Sequence, residues 1–377
     1  MNDLGLYVHI PFCKSKCQYC DFCSFVHAEE QMQAYCDALM GEIRNAARVY
    51  GNRVVSTVYF GGGTPTTLPI SMISEIIKTI FECFSIKNDA EITTECNPGT
   101  VTFEYLAALR EAGFNRISMG AQSMNDRELK LLGRIHTAAE TVETFRHARC
   151  AGFENISLDL MLGIPEQTPK SLAESLEALM ELAPEHISAY GLKIEEGTPF
   201  FAKKDTLPLP DEDTERQLYM NAAAFLAENG YPRYEISNFA RRGYESRHNL
   251  RYWKRQDYLG LGLAAHSCIG ERRFWNTQTL SDYLAGKTED GYETVSAHDI
   301  LCESIMLAMR LDEGLDTKRF SAQFGEAAKP YIQGLLRFVP TGLVKQEDGR
   351  ICFTSDGAYV SNAILCELLD FEENNTP

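Results

Sequence analysis

The chain has 377 residues, 44% of them hydrophobic and 24% charged, and its 36 Lys and Arg against 53 Asp and Glu leave a formal charge of −17. Such a composition excludes a disordered, collagenous or small disulfide-stapled protein and accommodates two or three domains with cores of their own. The acidic balance speaks against a nucleic-acid partner, because phosphate recognition runs on excess Lys and Arg. No apolar run reaches the roughly 18 residues of a membrane span, and the first residues read as a strand rather than a leader, so a cytoplasmic location is expected. The absence of a basic amphipathic helix limits membrane contact to a peripheral one. Twelve cysteines in such a chain point to thiolate chemistry or packing rather than to a disulfide framework.

Short β-branched or aromatic runs at 6–10, 54–60, 91–94, 116–119, 156–160 and 187–192 alternate with helical patterns at 29–49, 69–84, 102–112, 138–151, 169–182 and 211–229. Six βα units predict an α/β fold, a partial (β/α)6 barrel over 1–235, with an open doubly wound sheet as the alternative; both place ligands at the carboxyl ends of the strands. The segment 236–290 reads as a connection, and within it 241–273 forms a basic island of eight Lys and Arg against three Asp and Glu. Residues 291–377 read as short helices followed by a hairpin at 343–354 and a last helix, a C-terminal helical module like a winged helix. With 7 Lys and Arg against 16 Asp and Glu over 289–377, a packing or lid role suits it better than DNA binding.

The chemistry concentrates after the first strand. Cys13, Cys17 and Cys20 form a C-x3-C-x2-C loop whose three thiolates can hold three irons of a 4Fe-4S cluster, leaving the fourth open to an exchangeable ligand. A zinc site is the alternative, although it usually takes four protein ligands, and no second ligand pair is evident. Gly61-Gly62-Gly63-Thr64-Pro65 ends the second strand with a turn that can press its backbone against a ligand. Glu95, Gln122 and Asp159 then close successive strands with polar groups that a purely structural strand avoids.

The cysteine spacing, with Tyr19 inside it, resembles the radical S-adenosylmethionine (SAM) superfamily, in which SAM chelates the open iron. That resemblance implies that Gly62, Gly63 and Thr64 lie against the SAM ammonium. It implies too that Glu95, Gln122, Arg134 and Asp159 bind its methionine and ribose parts, that Tyr19 and the chain near Lys193 flank adenine, and that Tyr7 borders the cluster. The runs Tyr7-Val8-His9-Ile10-Pro11-Phe12-Cys13, Gly120-Ala121-Gln122-Ser123 and Glu196-Gly197-Thr198-Pro199 further resemble the oxygen-independent coproporphyrinogen III oxidase group over nearly the whole chain. Two departures point away from the oxidases themselves. Phe22 stands where they carry a further Cys, with Cys23 one position later, and their long N-terminal arm precedes no cluster here.

Both departures lead to the sister branch of haem chaperones of the HemW type, whose His-Asn-x-x-Tyr-Trp motif is matched by His248-Asn249-Leu250-Arg251-Tyr252-Trp253. The resemblance implies haem as cargo, an acceptor protein as partner, and SAM and the cluster as control elements. His248 would then ligate the iron, with Arg247, Arg251, Lys254 and Arg255 pairing the propionates. His266 is a possible second ligand that suits a core histidine equally well, and His9 reads as a cluster-side or packing residue. The alternative is oxidative decarboxylation of porphyrinogen propionates, and radical methyl transfer is a third variant. An uncapped partial barrel also allows a homodimer.

Overall fold

The computed structural model describes residues 3–369, so the far end of the expected C-terminal segment, 370–377, lies outside the described residues. The alternating elements are β1 (Leu4–Ile10), α1 (Met32–Tyr50), β2 (Val54–Gly62), α2 (Ile70–Cys83), β3 (Ser85–Cys96), α3 (Phe103–Glu111), β4 (Arg116–Gln122), α4 (Asp126–Leu131), α5 (Ala138–Cys150), β5 (Ile156–Leu162), α6 (Pro169–Leu182), β6 (His186–Gly191) and α7 (Glu212–Glu228). Strands β1 to β6 run parallel in sequence order, the partial six-stranded barrel expected from the alternation. Successive side chains of a strand face opposite ways. Leu6, Val8 and Ile10 of β1 accordingly join Tyr35, Leu39 and Ile43 of α1 in the core under the helices, whereas Tyr7 turns inward to stack on Tyr59 of β2. Helix starts are fixed locally, α5 by a Thr137–Glu140 capping box and α6 by Thr168 followed by Pro169 at its first turn.

The chain continues with β7 (Arg233–Glu235), β8 (Asn238–Ala240), α8 (Arg247–Trp253), β9 (Tyr258–Leu261), β10 (His266–Ile269), β11 (Arg272–Asn276), α9 (Leu280–Leu284) and β12 (Glu289–Thr294). The stretch read from the sequence as a connection therefore adds strands to both edges of the sheet. Its order is β12-β11-β10-β9-β1-β2-β3-β4-β5-β6-β8-β7, with β9 parallel to β1. Two polar side chains hold the added edge in place. Glu42 of α1 accepts hydrogen bonds from the Gly262 N–H at 2.9 Å, Asn276 at 2.6 Å and the Tyr283 hydroxyl. Arg251 of α8 bonds Ser56 at 2.7 Å, Asp3 and the Asp257 carbonyl, and Gly5 of β1 makes room for it, since a Cβ there would lie 2.6 Å from the arginine side chain.

Six of the eight cations of the basic island are paired within the chain, a correction to the expectation of cations waiting for propionates. Arg247 faces Asp89, Arg251 faces Asp3, Lys254 faces Glu313 at 3.0 Å and Arg255 faces Glu303 at 2.8 Å. Arg272 and Arg273 pair with Glu289 and with Glu293 and Glu303.

The C-terminal part holds α10 (Ala297–Ala308), β13 (Leu315–Asp316), α11 (Thr317–Phe324), α12 (Ala328–Leu336), β14 (Val344–Glu347), β15 (Arg350–Phe353), α13 (Ser355–Tyr359) and α14 (Ser361–Leu368). Helices around the small sheet β13-β15-β14 enclose their own core of Leu301, Ile305, Phe320, Leu335 and Ile351, the helical module with a hairpin anticipated from the sequence. No helix among the described residues is long and apolar enough to cross a membrane. Replacing Glu42 by Ala leaves the Gly262 N–H and the Tyr283 hydroxyl without this acceptor, while Asn276 keeps the Gly262 carbonyl, so the urea midpoint should fall by the equivalent of about 1–3 kcal/mol. An unchanged midpoint would mean that the β9–β12 edge is held by its strand pairing alone.

Candidate functional site

The carboxyl ends of β1 to β6 form a bowl, and the cysteine loop closes one side of it. Two main-chain pairs fix the base of the loop: Cys13 N–H to the Phe25 carbonyl at 2.9 Å, and Phe25 N–H to the Pro11 carbonyl at 2.7 Å. The glycine turn after β2 supplies two more, from Gly63 N–H to Ile10 O at 2.9 Å and from Thr64 N–H to Phe12 O at 2.8 Å. A Cβ on Gly63 would lie 2.8 Å from the Phe12 oxygen, and one on Gly62, whose φ is +110°, would lie 2.5 Å from the His9 ring. Only side-chain-free backbone fits this approach.

Cys13, Cys17 and Cys20 are half-exposed free thiols. The Cys13 sulfur lies 3.6 Å from Thr64 Oγ1, and Arg134 Nη1 donates to the Cys17 sulfur at 3.5 Å. Burial pushes the Cys13 and Cys20 thiols up while nearby Lys16 opposes it. Among the described residues no three His, Cys, Asp or Glu side chains are gathered as ligands of one metal ion. A cubane asks for three thiolates that each face a separate iron, and three thiols with adjacent cations on one short loop suit that group.

Next to the loop, Arg134 Nη2 also donates to the Gly120 carbonyl at 2.7 Å and to Asn97 Oδ1, and Asn97 in turn donates to Thr64 Oγ1 at 2.8 Å. Gln122 ends β4 at φ +66°, a left-handed conformation that a side chain adopts only when its surroundings impose it, and its Oε1 accepts from the Tyr190 hydroxyl at 2.8 Å. Glu95 accepts from the Tyr59 hydroxyl at 2.8 Å, and burial, with neighbouring Asp159, pushes its carboxyl up to about 7. Burial likewise pushes Asp159 up to about 6, against the pull of Arg116. Tyr19, Tyr190, Leu192 and Ile194 all pack against the cluster of Leu132, Met161, Ile164 and Phe200, while Lys193 is exposed to solvent. The bowl thus gathers Gly62, Gly63, Thr64, Glu95, Gln122, Arg134, Asp159 and Tyr19, and leaves the Lys193 side chain outside.

His248 stands elsewhere than the sequence suggested. Ser246 caps α8, and Glu91 of β3 accepts the N–H groups of Arg247 and His248 at 3.0 and 2.9 Å, which drives the imidazole into the barrel. Only 1% exposed, it stacks on Tyr59 and uses both ring nitrogens, Nδ1 with Thr57 Oγ1 at 2.9 Å and Nε2 with the Tyr252 hydroxyl at 2.8 Å. Burial pushes its pKa down to about 3. Iron could reach it only by displacing one of these partners; in the structure it holds Tyr252.

Tyr252 faces a cavity of about 700 Å³ between the cysteine loop and the β1–β9–β10 edge, with Tyr7, Phe22, Phe25, Tyr258 and His266 among its walls. Residues that the sequence reading passed over thus shape the site: Asn97, Tyr59, Tyr190 and Tyr258. Asn97 was legible as the polar neighbour of Glu95 before a proline; the tyrosines carry no signal apart from the pairing of their strands.

The barrel and its cysteine loop define a radical SAM protein: residues 7–179 match the radical SAM superfamily profile, and 295–360 match the HemN C-terminal domain. Coproporphyrinogen III oxidase (HemN) from Escherichia coli has a similar structure, with a TM-score of 0.85 at 29% identity over 97% of this chain and 89% of that one. Proteins called heme chaperone HemW are similar along their length, that of Bacillus subtilis at 34% identity over 95% of this chain and 97% of its own, that of Mycobacterium tuberculosis at 33% over 97% and 94%. A mitochondrial radical S-adenosyl methionine domain-containing protein 1 from Mus musculus is 34% identical over 82% of this chain and 74% of its own. The chain belongs to the HemW family within that superfamily.

Two outcomes check the geometry. Replacing Cys13, Cys17 or Cys20 by Ala should abolish the absorbance of a reconstituted cluster, and Cys23→Ala should preserve it; loss in the Cys23 variant would reassign the ligands. The folded state keeps a proton on Glu95 that the unfolded chain releases near 4.5, so its contribution to stability is full at low pH and is lost as pH rises towards about 7. Glu95→Gln should therefore gain stability relative to wild type between about pH 5 and pH 8, read as urea midpoints, and a constant difference would show the carboxyl already ionised.

Proposed function

We propose that this protein is a haem chaperone, which binds haem in the aromatic cavity beside the cysteine loop and passes it to an acceptor protein. The cavity carries the proposal. Its volume of about 700 Å³ falls within the range of small-molecule sites, and its tyrosine and phenylalanine walls offer faces on which a porphyrin can stack. Full-length kinship with proteins named heme chaperone supports the reading.

In this proposal Cys13, Cys17 and Cys20 hold a 4Fe-4S cluster, bordered by Tyr7. Gly62, Gly63, Thr64, Glu95, Gln122, Arg134 and Asp159 bind SAM, with Tyr19 and the backbone near Lys193 along its adenine. When bound, the two groups supply one-electron chemistry. The chain's own part is to hold them out of water: Arg134 faces the Cys17 sulfur, Gln122 is fixed by Tyr190, and Glu95 stores a proton near neutrality. His248 enters as the support of Tyr252. The cytoplasmic location belongs to the same proposal.

A second reading, coproporphyrinogen oxidation, is favoured by the structural similarity to the E. coli oxidase. Against it, Phe22 stands 64% exposed at the position where resemblance to the oxidases asks for a Cys. Anaerobic haemin titration of cluster-reconstituted protein separates the two. The proposal expects saturation near equimolar haem and no decarboxylation of coproporphyrinogen; turnover without haem binding would establish the oxidase instead.

A further inference from the structure

The geometry points to His266 as the side chain that ligates the haem iron, an inference that rests on the haem reading above. Three imidazoles stand in or beside the cavity, and two are committed. His9 pairs Nδ1 with the Tyr7 hydroxyl at 3.0 Å and Nε2 with the Cys23 carbonyl at 2.9 Å. His248 is buried, with both nitrogens engaged by Thr57 and Tyr252. His266 is exposed in the cavity wall, and among the described residues its ring has no hydrogen-bond partner.

Its setting is that of a ligand held ready. His266 opens β10 opposite Trp275 of β11, and the two rings stack with centroids 5.9 Å apart at 28°. The strand beneath is fixed by close backbone approach, since a Cβ on Gly260 would fall 2.2 Å from the His266 carbonyl oxygen. Partial burial and the adjacent Arg273 push the imidazole pKa down, which keeps the ring in the neutral form that binds metals.

The phenols and the thiol of the cavity are weaker candidates on the same chemistry. Tyr7, Tyr252 and Tyr258 are held as phenols, since burial raises all three. Cys23 is also held protonated by burial, with its sulfur 3.9 Å from the Gln278 carbonyl, and a thiol is a poor ligand until it ionises. A neutral imidazole needs no deprotonation to coordinate ferric haem.

The test is an anaerobic haemin titration of the cluster-reconstituted full chain, following the Soret band and the ferric electron paramagnetic resonance spectrum in wild type, His266→Ala, His248→Gln and Cys23→Ala. His266→Ala should lose the wild-type Soret position and bind haem about tenfold or more weakly, and added imidazole should restore the spectrum. His248→Gln and Cys23→Ala should keep the wild-type spectrum. An unchanged His266→Ala spectrum, or loss of the ligand field in His248→Gln alone, overturns the assignment while leaving haem binding intact. Absence of saturable binding in the wild-type protein overturns the haem reading itself and this assignment with it.

Discussion

The contact on which the site depends is the main-chain approach of the glycine turn after β2 to the end of β1. Gly63 and Thr64 donate their N–H groups to Ile10 and Phe12, so the backbone entering the cysteine loop is pinned to the neighbouring strand. A side chain at Gly63 would meet carbonyl oxygens rather than flexible groups, and the loop would have to move. The same contact puts the Thr64 hydroxyl beside the Cys13 sulfur, where Asn97 donates to it. Asn97 in turn holds Arg134, and Arg134 returns to the Cys17 sulfur. A ring of polar contacts thus closes through the ends of three strands and back to the loop, so the thiols inherit the rigidity of the sheet.

A barrel whose inner face is this polar needs partners for every buried group. The six βα units leave some of that demand open, and the chain beyond them meets part of it. Helix α8 supplies His248 to Tyr59 and Thr57, and takes Glu91 as acceptor for its first N–H groups. Arg251 on the same helix fastens β1, β2 and the start of β9 together. The strands that follow widen the sheet beyond β1, and only this widening gives the cavity its second wall, because Tyr258 and His266 lie on β9 and β10.

This division explains what the sequence could disclose. The parallel strands were legible because each is a short apolar run between amphipathic helices, a pattern set by burial on both faces. The cysteine loop, the glycine turn and the polar strand ends stood out because their residue types are costly in a plain core. The basic island misled, because linear charge does not reveal pairing: Arg255 and Arg273 meet Glu303 from a helix some thirty to fifty residues further on. His248 misled for a related reason. Its motif is conspicuous, but the acceptor that turns it inward, Glu91, lies 157 residues earlier. The edge strands β9 to β11 are four or five residues long and carry polar residues among apolar ones, so pairing alone defines them.

The cysteine loop forms part of two sites at once. Its first half carries the three thiols, and its second half, from Asp21 to Phe25, lines the aromatic cavity. Between them stands His9, which binds the Cys23 carbonyl on one side and the Tyr7 hydroxyl on the other, while its own carbonyl receives the Tyr35 hydroxyl from the core. The loop therefore has no independent half: a force that orders the thiols acts on Phe22, Cys23 and Phe25 through a few peptide bonds and one imidazole. Linkage makes such coupling reciprocal, so whatever a group held by the thiols does to affinity in the cavity, a ligand in the cavity does to the group in equal measure.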